Sequence, residues 1–265
     1  MIRLIFIGVL GCVHLASGQP EDPAFMAGLS LEKKFQVEAA LEQFEAVLKR
    51  NPNHEGAMIH ASRMLSNVAG RLPAGEADRK RELLLRSQLY ARHAIQLNER
   101  STDARLAHII TLGLLSEIAT NPREKVADAR LIHREAIAIL TVDTTYAEAY
   151  FVLGKWHLEL ARLNWMELMA CKLFFGGFPE EVSTEAALRY FNKALHYNPT
   201  SILFLFGQAS AYFDLEKFDK ASSTLHHALA LPPAEPDDIL RKERCASLLH
   251  QVNSRSQSAK ATLAR

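Results

Sequence analysis

Residues 187–199 read ALRYFNKALHYNP, with a small residue at Ala187, an aromatic at Phe191, a second small residue at Ala194 and a helix breaker at Pro199. Positions i, i+4 and i+7 lie on one face of an α-helix, small side chains there let a neighbouring helix come close, and proline ends the run. The same spacing recurs at 40–52 (ALEQFEAVLKRNP) and at 221–233 (ASSTLHHALALPP). Two degenerate copies lie between them, Ser87-Ala91-Ala94-Glu99 and Ala129-His133-Ala136-Thr141. The anchors at 40, 87, 129, 187 and 221 are separated by 47, 42, 58 and 34 residues. Self-similarity at such a period marks an array of stacked units, and each copy reads as the second helix of a helical hairpin. The first helices carry their own signature in Tyr150-x-x-Leu153-Gly154, with Ile109-x-x-Leu112-Gly113 as a looser version.

This pattern resembles a tetratricopeptide repeat. The expected fold is all-α: a right-handed solenoid of about five hairpins over 35–252, with an inserted short helix and a C-terminal capping helix. Helices are expected near 35–50, 54–70, 79–98, 102–120, 123–140, 145–163, 183–198, 202–214, 217–231 and 237–252. A leader and weak first helix occupy 19–34, and 253–265 reads as a solvated tail. Gly154 and Ala187 stand 33 positions apart, more than the simple spacing, and both tryptophans, Trp156 and Trp165, fall between them. A short extra helix is expected at 165–174, ended by Gly176 and Gly177, with Ser183 or Thr184 as the next N-cap.

Leu153-Gly154-Lys155-Trp156, the Trp165 region, Phe175-Gly176-Gly177-Phe178-Pro179, and Ala187-Leu188 with Phe191, Lys193 and Ala194 are similar to the tetratricopeptide-like domain of the regulator of microtubule dynamics family. The resemblance runs from about Ala40 to Val252 and departs at Phe178, where the family has proline. It implies an interaction role.

Composition narrows the function classes. Of 265 residues, 31 Lys and Arg face 30 Asp and Glu, and no basic excess marks a nucleic-acid binder. Few glycines and prolines, placed between periodic stretches, exclude an all-β fold. The first eighteen residues, with Arg3, an apolar run from Leu4 to Leu15 and Ala16-Ser17-Gly18, read as a secretory signal peptide cleaved after Gly18, and imply a secreted or periplasmic chain without a membrane span. The alternative is a lipoprotein box, Val9-Leu10-Gly11-Cys12, anchoring the chain through Cys12. Cys171 and Cys245 sit in helical patterns and read as free thiols.

No catalytic constellation is present, so the chain is not expected to be an enzyme and no cofactor or metal is expected. His54-Glu55 has Met58 where a zinc protease needs its second histidine, and Ser30-Leu31-Glu32-Lys33 lacks the companion motifs of a serine acylase. His226 and His227, adjacent on a helix, point about 100° apart and do not share a metal.

Solenoids bind along an extended concave surface, in this family lined by the first helices. One residue beyond the Tyr150 and Gly154 positions stand Phe151 and Lys155. Equivalent offsets select Ile59 and Arg63, Ile110 and Leu114, and Phe206 and Ser210, with Leu158 and Phe213 a turn further. The groove so defined is apolar, with Arg63 and Lys155 as its cations. It suits a protein or peptide partner that buries an apolar face and carries an acidic group. A lipid or acyl ligand held in a closed version of the groove is the alternative, and the segment Phe25–Leu31 or the inserted helix are candidate internal occupants.

Overall fold

In the computed structural model, which describes residues 22–164, 166, 167, 169, 171, 173, 182–234 and 237–263, eleven α-helices follow one another with no strand among the described residues. They are α1 (Pro23–Lys33), α2 (Val37–Arg50), α3 (Glu55–Arg71), α4 (Ala77–Leu97), α5 (Thr102–Ile118), α6 (Pro122–Val142), α7 (Ala147–Ala161), α8 (Thr184–Tyr197), α9 (Ile202–Asp214), α10 (Phe218–Ala230) and α11 (Asp238–Leu263). Five hairpins, α1/α2 to α9/α10, stack as a tetratricopeptide-like solenoid, and α11 closes the array against α9 and α10.

The small–large–small face is the hairpin core. Ala40, Phe44 and Val47 are fully buried, as are Ala187, Phe191 and Ala194 to within 1%. The aromatic lies under a glycine of the facing helix. A Cβ on Gly28 would stand 2.6 Å from the Phe44 ring, and one on Gly154 would stand 2.7 Å from Phe191. Interiors are packed too densely to absorb both a ring and a side chain at such a crossing.

The turns between hairpins rest on a device the proline count does not reveal. Asn51, Asn98, Asp143 and Asn198 each end a second helix, and each donates its backbone N–H to the carbonyl four residues earlier. The side-chain oxygens of Asn51, Asn98 and Asp143 accept the N–H two residues on, at 3.2, 3.1 and 2.8 Å. Three residues after each stands the N-cap of the next first helix: His54, Ser101, Tyr146 and Ser201. The Asx turn holds the corner where Glu99 or Thr144 replaces proline.

These caps correct the register of the third hairpin. The expected copy Ala129-His133-Ala136-Thr141 would break the helix at 141, whereas α6 runs to Val142 and caps at Asp143. Counting back from the cap, Ala136 takes the place held by Phe44 and Phe191, and Ile139 the place of Val47 and Ala194. Counting forward from the N-cap, the eighth residue of the first helix is Ser62, Ile109, Gly154 and Ala209 in turn, so Gly113 is not the counterpart of Gly154. Where the fourth hairpin pairs glycine with phenylalanine, the third pairs Ile109 with Ala136, both buried in one cluster. The swap keeps the volume and hides the repeat from a pattern that looks for an aromatic.

At the N-terminus, Asp22 caps α1 through Ala24 N–H at 2.8 Å and pairs with Arg50 at 2.8 Å. At the other end, α11 extends to Leu263, beyond the expected tail boundary at 253, because no glycine or proline interrupts 238–263. The signal segment 1–18, Cys12, Trp165 and most of 165–181 lie outside the described residues. Asn164 and Glu167 bracket the start of the insertion with a reciprocal capping box, the Asn164 N–H donating to Oε2 at 2.8 Å and the Glu167 N–H to Oδ1 at 2.9 Å. Cys171 and Cys245 are free and buried. No described helix is long and apolar enough to cross a membrane.

Candidate functional site on the first helices

Register from the N-caps arranges the first-helix face in two rows. The fifth residues are Ile59, Leu106, Phe151 and Phe206, and the ninth are Arg63, Ile110, Lys155 and Ser210. The sequence spacing misses Leu106, putting Ile110 in the fifth row and Leu114 in the ninth. The N-cap at Ser101, which no proline signal announces, is what corrects it.

The fifth row is largely a floor. Ile59 is buried in the first core cluster, so it is withdrawn from the contact surface. Leu106 is half-buried beside Ile109 and Leu153. Phe151 is half-buried, stacked on Phe204 at 5.0 Å and tilted against Phe191 at 5.7 Å. Phe206 packs on the α9–α11 cluster. Leu158 is buried, also a correction, and Leu114 packs with Leu84 and Leu115. Phe213 is half-buried, edge-on to Phe218 at 6.0 Å, and lines an open cleft of about 330 Å³ with Arg162, Asp214 and Arg255.

The ninth row is the open one. Ile110 is 40% exposed and is the one large apolar side chain exposed on α3, α5, α7 and α9 among the described residues. Arg63 and Lys155 flank it in the row, both exposed, while Ser210 is buried and donates to the Phe206 carbonyl at 2.8 Å. Arg63 reaches Glu32 at 3.5 Å, whereas Lys155 has no ion-pair partner among the described residues. The surface is therefore a cation, an aliphatic side chain and a cation on three successive hairpins.

The N-terminal end of the face is tied down. Glu32 bonds His60 Nδ1 at 2.6 Å. Burial of Glu32 opposes its ionisation, but the His60 hydrogen bond and the charges of His60 and Arg63 outweigh it and hold the carboxyl below its ordinary pKa. Phe25, Leu29 and Leu31 form part of α1 and pack on the first cluster with Phe44 and Met58, so this segment is a first helix in its own right. The near-miss motifs have structural places. His54 Nδ1 accepts the Ala57 N–H at 3.1 Å as an N-cap. Ser30 and Lys33 are exposed on α1, and His226 and His227 are exposed on α10. Among the described residues no group of three His, Cys, Asp or Glu is arranged to hold a metal. Trp156, buried, donates Nε1–H to the Ala129 carbonyl at 2.8 Å and lies 4.6 Å from His133.

Comparison with known proteins places this geometry. The family described as "Regulator of microtubule dynamics protein 1-3" matches residues 27–253. The mouse protein "Regulator of microtubule dynamics protein 1" is 22% identical over 209 residues, covering 78% of this chain and 67% of its own length. The Caenorhabditis elegans protein of the same name is 22% identical over 220 residues, covering 83% of this chain and 96% of its own. Among solved structures, a thermophilic TPR protein of Thermus thermophilus superposes with a TM-score of 0.62 at 16% identity, covering 84% of this chain and 97% of the other.

Proposed function

The chain belongs to the regulator of microtubule dynamics protein 1–3 family, and on that premise we propose that it is a non-catalytic interaction module whose ninth-row surface receives a segment of a protein partner. The observation that carries this reading is Ile110, exposed between Arg63 and Lys155 on helices whose other large apolar side chains are packed away. An apolar residue of the partner would cover Ile110, and acidic groups to either side would meet the two cations. Removing the apolar contact from water drives association, while exposed charges set register and orientation more than affinity. Leu106, Phe151 and Phe206, half-buried and packed on their neighbours, form the floor beneath it.

Lipid carriage requires an enclosed apolar chamber. Two clefts among the described residues, of about 330 and 370 Å³, are not of that kind: both open to solvent and are lined largely by charged and polar side chains, which favours the peptide-binding reading. The relatives are named for regulation of microtubule dynamics, so purified tubulin is the first protein probe. An exported chain, as the signal segment suggests, would meet other partners. Selection of a random peptide library on the folded chain tests the reading. Enrichment of peptides with an apolar residue flanked by acidic ones, displaced from the Ile110→Glu variant but not from Leu89→Glu on α4, is the expected result. Enriched peptides without acidic residues, or bound equally by Ile110→Glu, overturn it.

A further inference from the structure

The third hairpin departs from its neighbours in chemistry as well as in register. The fourth first-helix residue after the N-cap is Met58, Tyr150 and Leu205 in the second, fourth and fifth hairpins, but Arg105 in the third. The seventh is Ala61, Leu153 and Gln208, but His108 in the third. Both polar side chains are carried into the interface between α5 and the second helices α4 and α6, away from the ninth-row surface.

Arg105 is accounted for. It bonds the Glu99 carbonyl at 2.7 and 3.2 Å and forms an ion pair with the buried carboxylate of Glu135. His108 is not. It is 4% exposed, and neither ring nitrogen has a hydrogen-bond partner. Buried polar atoms are almost always satisfied, and an orphaned pair on one ring calls for an occupant. His108 lines an open cleft of about 370 Å³ with Gln88, Arg92 and Gln96 of α4 and Arg134 and Glu135 of α6. That volume lies in the range of small-molecule sites.

We propose that this cleft is a binding site for a small hydroxylated organic anion, a phosphate or a carboxylate. The charge pattern sets the sign. Glu135 is engaged by Arg105, and Arg134 stands 3.8 Å from its other oxygen, leaving the exposed guanidinium of Arg92 without a partner among the described residues and that of Arg134 only loosely held. Two arginines line the cleft against one carboxylate that Arg105 already engages, which leaves a cationic balance, and the guanidinium fork matches a planar or tetrahedral oxyanion. The hydroxyl requirement comes from His108. Burial lowers its pKa, opposed by Glu135 and reinforced by Arg92, Arg134 and Arg105, so the ring is neutral at pH 7. A neutral imidazole offers one donor and one acceptor, and the two glutamine amides offer both as well. Sulfate, unprotonated at pH 7, has no proton for the acceptor nitrogen, whereas a hydroxyl beside the anionic group completes it once the ring, whose nitrogens are closed off as it stands, turns toward the cleft.

Calorimetric titration and thermal melting of the full chain test the site with four probes: glucose 6-phosphate, gluconate, sulfate and glucose. Binding of glucose 6-phosphate or gluconate at least tenfold tighter than sulfate, with no response to glucose, is expected. That binding should weaken at least tenfold in Arg92→Gln/Arg134→Gln, whose side chains are exposed and whose fold should survive. His108→Leu supplies a second readout, because leucine suits the interface and should raise the melting temperature while abolishing the preference over sulfate. No binding by either hydroxylated anion at concentrations tenfold above millimolar, equal affinity for sulfate, or binding unchanged in both variants overturns the proposal. These outcomes are independent of the ninth-row surface, since none of the substituted residues lies on it.

Discussion

Replacing Gly113 and Gly154 with alanine, one at a time, distinguishes the two possible registers of the third hairpin. A pattern of first-helix glycines treats them as equivalent, and both lie in helix interiors, α5 and α7. Alanine is favoured over glycine there by about 1 kcal/mol from backbone freedom alone. At Gly113 an added Cβ meets nothing within 4 Å, so that gain should appear undiminished. At Gly154 the methyl would stand 2.7 Å from both Cδ1 and Cε1 of Phe191. The ring has little room to retreat, because it is 1% exposed and its Cε1 lies against Gly207 as well, where a Cβ would also come within 2.7 Å. Overpacking of this kind costs about 1–3 kcal/mol. Helix propensity cancels between the two substitutions, so Gly154→Ala should be less stable than Gly113→Ala by about 1–3 kcal/mol. Urea unfolding followed by circular dichroism at 222 nm reads the difference. Adding Phe191→Leu should recover part of the Gly154→Ala loss, since the smaller side chain vacates the crossing. Equal stabilisation by the two alanines would refute the packing of Phe191 into the Gly154 notch, and with it the register taken from the caps.

Other perturbations follow from the same contacts. Ser87, fully buried, shares a hydroxyl cluster with Ser62, Ser66 and Thr111 at 2.8, 3.0 and 2.7 Å; Ser87→Ala should cost about 1–3 kcal/mol in chemical unfolding by leaving its partners unsatisfied. Glu32 has its pKa held below the ordinary 4.5, so its stabilisation is present above that value and fades as pH falls through the lower one. Glu32→Gln should flatten the acid limb of a melting-temperature profile. Asp128 behaves oppositely, because burial and Glu124 raise its pKa from 3.8 to about 6. The folded state binds the extra proton, stability drops as pH rises from about 4 to 6, and Asp128→Asn should stabilise at pH 7 more than at pH 4.

Much of this architecture is legible in the sequence because the strong copies carry size information at fixed spacing. Ala187, Phe191 and Ala194 fix α8, and the expected 202–214 agrees with α9 at both ends. The third hairpin escapes the pattern because its core exchanges sizes between facing helices, with Ile109 opposite Ala136, and because Asp143 rather than a proline ends its second helix. Asx residues three before an N-cap, at Asn51, Asn98, Asp143 and Asn198, are the signal that would have found it. The first-helix face is legible as a face but not in depth. Whether Ile59 and Phe151 lie on the floor or on the surface depends on how neighbouring hairpins stack, and a residue's offset within its own helix does not encode that. In the sequence His108 is one histidine among eleven; its isolation emerges only from knowing that the same position elsewhere is Ala61, Leu153 and Gln208.

The most direct measurement of the ninth-row proposal is a charge-swap cycle on the best peptide recovered from the library selection. Lys155→Glu should weaken that peptide by about threefold to fivefold, the scale of an exposed ion pair. Exchanging the peptide's facing acid for lysine should restore the lost affinity to the Lys155→Glu protein while weakening binding to the unaltered one. If affinity is indifferent to Lys155→Glu, or falls without being restored by the reversed peptide, the Arg63–Ile110–Lys155 row is not where the partner sits.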